Sequence, residues 1–338
     1  YNMKAIVRNK LDVLEHISLP MPALNAEDEV LVRIVYTSLC RDDMRNEDKA
    51  DVLIQPGIIG HEAVGIVEEL GEYSKFKGLS RGDVVVVLPW AFCGKCHYCL
   101  SQRPNFCEES RFHQGVSCEY LVSNVSQLLK VPFGLTYKQA VMMEPVGCII
   151  EALNSLDMNF NSRVAIIGGG FIGATFIKLL KLRGVKKITV VEPIAERREK
   201  AIAFGANSVV DPRATDFQYE LSDCCDHQGY DCIIETSSNV DMLNMSLSHL
   251  TKGGILKIFT YYNNQSVMCV PLVGLYYSNI TISWSCLCSI DSMNVAAEMI
   301  KRLALDELIT SEFSFENFFL ALESYKNMEC YKVGVRYY

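Results

Sequence analysis

Residues 163–184 read RVAIIGGGFIGATFIKLLKLRG. An apolar run leads into three successive glycines and then into a segment whose apolar residues recur at helical spacing, which predicts strand, tight turn and helix. Gly168 makes the turn, Gly170 lets backbone amides approach a pyrophosphate, and Gly173 permits close packing of helix on strand. Phe171 and Ile172 open the helix, whose N-terminus offers N–H groups and the positive end of its dipole to that pyrophosphate. The next apolar run, KKITVVE, ends in Glu192, nineteen residues beyond Gly173, where an acid meets a ribose 2′-hydroxyl. Strand, turn, helix and acid in this order predict a dinucleotide-binding unit.

Outward from this turn, strand and helix alternate from about residue 147. KKITVVE is followed by a helix through AERREKAIAFGA, then NSVVD, YDCIIET, a helix from VDMLNMSLSHL, GGILKIF and NITISWS. Six apolar runs with intervening helices predict an α/β fold with a doubly wound parallel sheet. Residues 1 to about 145 differ: short β-branched runs such as EVLVRIVYTSLC, AVGIVEEL, DVVVVLP and EYLVSN alternate with Gly, Pro and Asp turns, which predicts mostly strand. After Ser285 the pattern predicts a helix over NVAAEMIKRLALDELI (294–309), another over FENFFLALESY (315–325) and a last strand in CYKVGVRYY. The expected domains are 1–146, 147–286 for the dinucleotide-binding unit, and a tail, 287–338. A length of 338 residues with 49% apolar content is ample for two cores.

Two sets of soft ligands lie upstream of the glycine turn. Cys93, Cys96, Cys99 and Cys107 fall in CGKCHYCLSQRPNFC, within a lobe expected over 89–110. Four thiols at that spacing predict a closed, structural zinc site that folds a loop with no apolar face of its own. Cys40 in SLCRDDMR, His61 and Glu62 in GIIGHEAVG, and Glu144 in MMEPVG form a second set. Singly, each has a plainer reading: a buried thiol, a core histidine, two surface acids. Together they are widely separated ligands of mixed type, as in a catalytic zinc with an open coordination position. The other nine of the fourteen cysteines read as buried or spare thiols.

With these motifs the chain resembles the zinc-containing medium-chain dehydrogenase/reductase family, most closely its polyol (sorbitol-type) and threonine dehydrogenase branch. The resemblance runs nearly end to end, through MKAIVRNK, PGIIGHEAVGIVEELG, RGDVVVV, the four-cysteine lobe, CEYLV, MEPVG, GGGFIG and KVGV. It implies a mainly β, GroES-like catalytic domain beside the Rossmann domain, with the tail returning to the catalytic domain. Glu144-Pro145 stands where classical alcohol dehydrogenases carry a cysteine, which points to the polyol and threonine branch. Members use the Glu after His, the Glu before Pro, or both as the third zinc ligand, so Glu62 and Glu144 both stay candidates. Asp43 matches the acid beside the ligand histidine. Arg197 falls where polyol dehydrogenases place an arginine along the adenine. One departure is Asp42: the family usually has Ser or Thr there, relaying the substrate proton. Asp42 is therefore expected to take that proton or to pair with the substrate, the plainer alternative being a surface acid beside Arg41 or Arg45.

The combination predicts hydride transfer between a secondary alcohol and a nicotinamide dinucleotide, with zinc as Lewis acid at the hydroxyl. The expected substrates are a polyol, cyclitol, sugar or sugar phosphate, the alternatives an amino alcohol or a hydroxysteroid. Trp90, Arg111, Phe112 and His113 are candidates for lining the substrate cleft. Readings from other classes are a zinc-free quinone or enoyl reductase, which the intact Cys40, His61 and Glu62 set opposes, and a non-catalytic zinc- and dinucleotide-binding redox sensor. Two zinc ions per chain are expected. Glu192 favours NAD by repelling a 2′-phosphate, while Arg197 and Arg198 leave NADP possible. A net charge of −8 argues against a nucleic-acid partner. The absence of a long apolar run argues against a membrane partner. Fourteen cysteines without an export signal predict a reducing, cytoplasmic setting, and the family implies a homodimer or homotetramer.

Overall fold

The computed structural model describes residues 1–44, 57–112, 115–263, 265–328 and 330–338. They form two compact units, one of residues 1–147 with 288–338, the other of residues 148–287. The division falls inside the helix Met143–Asn154.

In the first unit the strands before the glycine turn are β1 (Asn2–Arg8), β2 (Leu14–Pro20), β3 (Glu29–Ser38), β4 (Gly57–Ile58), β5 (Ala63–Leu70), β6 (Val84–Val87), β7 (Trp90–Ala91), β8 (Arg111–Phe112), β9 (Tyr120–Asn124) and β10 (Leu128–Lys130). The second unit holds β11 (Arg163–Ile167), β12 (Lys187–Val191), β13 (Ser208–Val210), β14 (Tyr230–Glu235), β15 (Leu250–Ile258) and β16 (Thr281–Trp284). The chain returns to the first unit with β17 (Ile309–Ser314) and β18 (Lys332–Arg336). The main sheet of the first unit runs β10-β6-β5-β3-β18-β17, with β9 also on β3. Val30, Val32 and Ile34 of β3 meet Val85 and Val87 of β6 in its core, and Phe315 and Phe318 of the returning segment join them. A side chain from one strand needs the opposite sheet face to leave water, so the return of residues 288–338 completes this core rather than decorating it.

The second unit is a six-stranded parallel sheet in the order β13-β12-β11-β14-β15-β16. Helices cover both faces, and both are buried: Ile233 and Ile234, neighbours on β14, are each inaccessible to water. Burial of each such side chain is worth roughly 1.5–3 kcal/mol. The doubly wound parallel sheet expected from the alternating pattern is present.

Two local readings differ from expectation. The helix expected over 294–309 instead spans Ile290–Leu303, started by Ser289, whose side chain accepts the Ser292 N–H. It stops where Ala304 turns left-handed at φ 48°, and residues 309–314 are drawn off into β17, which pairs in parallel with β18. Sheet pairing wins there because β17 gains a ladder along β18, irregular only between Ile309 and Ser311, that a longer helix would forgo. The segment carrying Glu144, in a region read as mostly strand, is the start of the helix Met143–Asn154. Pro145 in its first turn forfeits no helical hydrogen bond.

Candidate functional site

β3 ends at Ser38, and two residues later Cys40 precedes a single 3₁₀ turn, Arg41–Met44. His61 and Glu62 sit just before β5, which is hydrogen-bonded to β3, so the two sheet ends bring together residues about twenty positions apart. The donor atoms of Cys40, His61 and Glu62 lie within 4.8 Å of one another. Asp43, buried, accepts the Cys40 N–H at 2.9 Å and lies 2.8 Å from His61 Nδ1. With Nδ1 so engaged, Nε2 is the nitrogen left to bind a cation, the usual arrangement of a carboxylate behind a ligand histidine. Arg8 of β1 in turn donates to the Asp43 carbonyl at 2.8 Å and pairs with Asp12.

Burial pushes the Cys40 thiol up to about 11, helped by the nearby Asp42 charge. Burial opposes charge on His61, but Asp43 and Cys40 outweigh it and hold the imidazole well above its ordinary value. A thiol, an imidazole and a carboxylate packed this closely suit a divalent, borderline-soft ion, and the donor chemistry fits zinc. Glu62 is held by other groups as well. Its carboxylate accepts from Ser38 Oγ and from Lys332 Nζ, the latter at 2.8 Å. Lys332 is 3% exposed. Burial alone would lower its pKa; Glu62, Cys40 and Glu144 outweigh that and raise it. Glu144 thus lies within electrostatic reach of Lys332 yet outside the close set of three ligand atoms. Tyr325, on the helix Phe318–Lys326, also stands near: burial raises its pKa, and Cys40, Glu62 and Asp43 add to the effect.

Asp42 is half-buried in the 3₁₀ turn. Trp90 and Phe92 line a small cavity with Glu144, Ile290 and Met293. Arg111 and Phe112 form β8, paired with β7. His113 and Arg45 lie outside the described residues.

Cys93, Cys96, Cys99 and Cys107 gather around the short helix His97–Leu100, their sulfurs mutually within 4.8 Å. Backbone N–H groups converge on them: Cys96 N reaches Cys93 Sγ and Cys93 N reaches Cys107 Sγ, both at 3.3 Å. N–H donors from Cys99 and Glu108 pull Cys96 down to about 6, while burial pushes its neighbour Cys99 up to about 12. Donors aimed at sulfur stabilise thiolate, which is what a four-sulfur zinc site requires.

In the second unit Gly168 has φ 102°, and a Cβ there would stand 2.6 Å from Thr236 Oγ1. A Cβ on Gly173 would lie 2.0 Å from the Gly168 carbonyl oxygen, so helix Phe171–Leu182 packs on the turn only because that position is glycine. The helix starts at Gly170 with no side-chain cap, leaving its first N–H groups for an anionic ligand. Glu192 is buried at the end of β12, accepting Gly169 N and Ile194 N at 2.8 Å each. Arg197 lies beside Gly170, and Arg198 bonds the Glu192 carbonyl and pairs with Asp211. This cradle fits a dinucleotide pyrophosphate with the acid at its ribose end.

Lys332, Ser38 and Arg8 were missed by sequence reasoning. Lys332 had a signal: it is a lysine at a buried phase of the otherwise apolar run CYKVGV. Ser38 and Arg8 had none, since each matters only through a partner distant in sequence.

Residues 26–133 match the family model described as alcohol dehydrogenase GroES-like domain, and residues 172–304 that described as zinc-binding dehydrogenase. The L-threonine 3-dehydrogenase of Caldanaerobacter subterraneus subsp. tengcongensis is 30% identical over 70% of this chain and 70% of its own. The sorbitol dehydrogenase of Bacillus subtilis is 27% identical over 99% of this chain and 97% of its own. Among solved structures, 2R,3R-butanediol dehydrogenase from Bacillus subtilis superposes with a TM-score of 0.85 at 23% identity, covering 99% of this chain and all of that one.

Proposed function

The chain belongs to the zinc-containing medium-chain dehydrogenases, in their polyol and threonine dehydrogenase branch, and from that premise we propose that it oxidises a secondary alcohol, a polyol, cyclitol, sugar or sugar phosphate, to the ketone. The alcohol loses a hydride to NAD and a proton to the protein, giving ketone, NADH and H⁺. The observation that carries this reading is the close set of Cys40, His61 and Glu62 with Asp43 behind the histidine. Bound there, zinc supplies a Lewis acid that makes the substrate hydroxyl more acidic, and the nicotinamide supplies the hydride acceptor.

The protein's own residues do the rest. Asp43 fixes the His61 ring and the Cys40 backbone together, so two ligands share one support. Lys332 balances the Glu62 charge in a place water does not reach. Asp42 takes the substrate proton in place of the hydroxyl usual in the family. Glu192, at the turn that receives the dinucleotide, disfavours a 2′-phosphate and so selects NAD. The four-cysteine set holds a second, structural zinc.

The chain works in a reducing, cytoplasmic setting as a homodimer or homotetramer. Fourteen thiols without a disulfide support the first point, and among the described residues no helix is long and apolar enough to cross a membrane. For the second, β16 is an edge strand, and the adjoining helix Leu272–Ser278 turns Leu272, Val273, Tyr276 and Tyr277 to solvent, each over 70% exposed.

A panel of secondary alcohols and ketones, followed by NADH absorbance with metal analysis on the same sample, tests the assignment. Turnover of at least one polyol and about two zinc ions per chain are expected. Substitution His61→Ala abolishes turnover and leaves NADH binding intact, and Asp42→Asn slows alcohol oxidation most at low pH. Full turnover by the His61 variant, or a single zinc per chain, defeats the reading.

A further inference from the structure

A cavity of about 370 Å³ opens in the first unit, walled by Arg33, Tyr36, Tyr137, Lys138, Arg336 and Tyr338. None of these belongs to either cysteine-containing ligand set or to the glycine turn. Arg33 and Tyr36 come from β3, and Arg336 from β18, directly opposite Tyr36 in the ladder. Tyr137 and Lys138 come from the short helix Tyr137–Ala140.

The charges around it are unevenly matched. Arg33 gives its Nε to Glu68 at 2.6 Å, and its two terminal amino groups meet no acceptor among the described residues. The Tyr338 ring lies 5.1 Å from that guanidinium. Arg336 comes no closer than 4.0 Å to a carboxylate, Glu312, which is already bonded by Lys138 at 2.6 Å and Tyr36 Oη at 2.9 Å. Arg81 adds a weaker contact to Glu68 at 3.8 Å. Among the described residues, the carboxylates paired with Arg33, Arg81, Lys138 and Arg336 are Glu68 and Glu312, a local excess of positive charge on a chain of net charge −8.

Two guanidinium forks with donors to offer can hold a planar anion by paired hydrogen bonds. Tyr137 and Tyr338, both exposed, offer ring surface beside them for an aromatic ring, and Ile66 adds apolar surface that a ringless anion cannot use. The volume is that of a small-ligand pocket. We propose that this cavity binds a small aromatic anion, an aryl carboxylate or aryl phosphate, at a site separate from the metal and dinucleotide sites. The inference rests on this unit's geometry and stands whether or not the dehydrogenase reading holds.

Calorimetric titration of the zinc-loaded protein with saturating NAD tests it, using benzoate, phenyl phosphate and inorganic phosphate as probes. One ringed anion binds at one site per chain, about tenfold or more tighter than inorganic phosphate, and the preference between benzoate and phenyl phosphate tells the two sources apart. Arg336 is largely exposed, so Arg336→Gln keeps the fold, checked by an unchanged melting curve and zinc content. It weakens the ringed anion about tenfold or more. His61→Ala leaves that affinity unchanged, which excludes coordination at the metal. The proposal is overturned by equal binding of inorganic phosphate, by no saturable binding of either ringed anion up to about 10 mM, by affinity that survives Arg336→Gln, or by affinity lost with His61→Ala.

Discussion

Lys332 and Glu62 show how much one buried pair can matter. Both are under 5% exposed, and each is the other's main compensation. In the zinc-free protein, removing the cation leaves a carboxylate buried without its counter-charge, so Lys332→Met destabilises that form by about 3–5 kcal/mol, while the double change with Glu62→Gln recovers most of that loss. Urea unfolding of the zinc-free wild type and of the two variants measures it. Glu235 poses the opposite case, an acid with no cation bonded to it among the described residues. Burial raises its pKa above the ordinary 4.5, although Ser237 N at 2.7 Å, Ser237 Oγ and Tyr262 Oη donate to it. The unfolded carboxyl ionises first as pH rises, so the stability this group contributes is complete below 4.5 and is lost as pH climbs through its raised folded value. Urea midpoints of wild type therefore fall with pH across that window relative to Glu235→Gln, which carries no such titration. Parallel curves for the two proteins would mean that Glu235 ionises normally.

Strand–turn–helix β11–Gly168–Phe171 was legible because its requirements are local: period, glycine spacing and the following acid lie within one short segment. The 2.0 Å approach at Gly173 is to a backbone oxygen, which has no rotamer by which to yield. Gly173→Ala is expected to push the helix off the turn, weaken NADH binding at least about tenfold and lower the melting temperature, with turnover falling in step. Fluorescence titration of bound NADH gives the first number. The helix after Ser289 was misread for the complementary reason. Its apolar spacing continues beyond Leu303, and local propensity offered no stop; β18, a strand brought alongside from later in the chain, claims residues 309–314 as a partner.

Across the whole molecule, the exposed β16 edge and the apolar helix beside it make self-association the economical way to cover that surface. If the proposed homo-oligomer forms through that surface, Val273→Glu with Tyr276→Glu shifts the sedimentation coefficient to that of the monomer; an assembly that both changes leave intact places the contact elsewhere. The sequence alone determined the sheet type, the four-cysteine lobe, the glycine turn with its acid, and the mixed ligand set, because each carries its chemistry in residue type and short-range spacing. It could name Cys40, His61, Glu62 and Glu144 as candidates without ranking the two glutamates. Tertiary structure drew Glu62 into the close set with Cys40 and His61, left Glu144 outside it, and set Lys332 against Glu62 across 270 residues and Arg8 against Asp43 across 35. Those meetings depend on how β18, β3, β5 and β1 align. A shift of one residue in such a register turns every side chain to the other face, so which buried charges meet is a property of the assembled sheet rather than of any local stretch of chain.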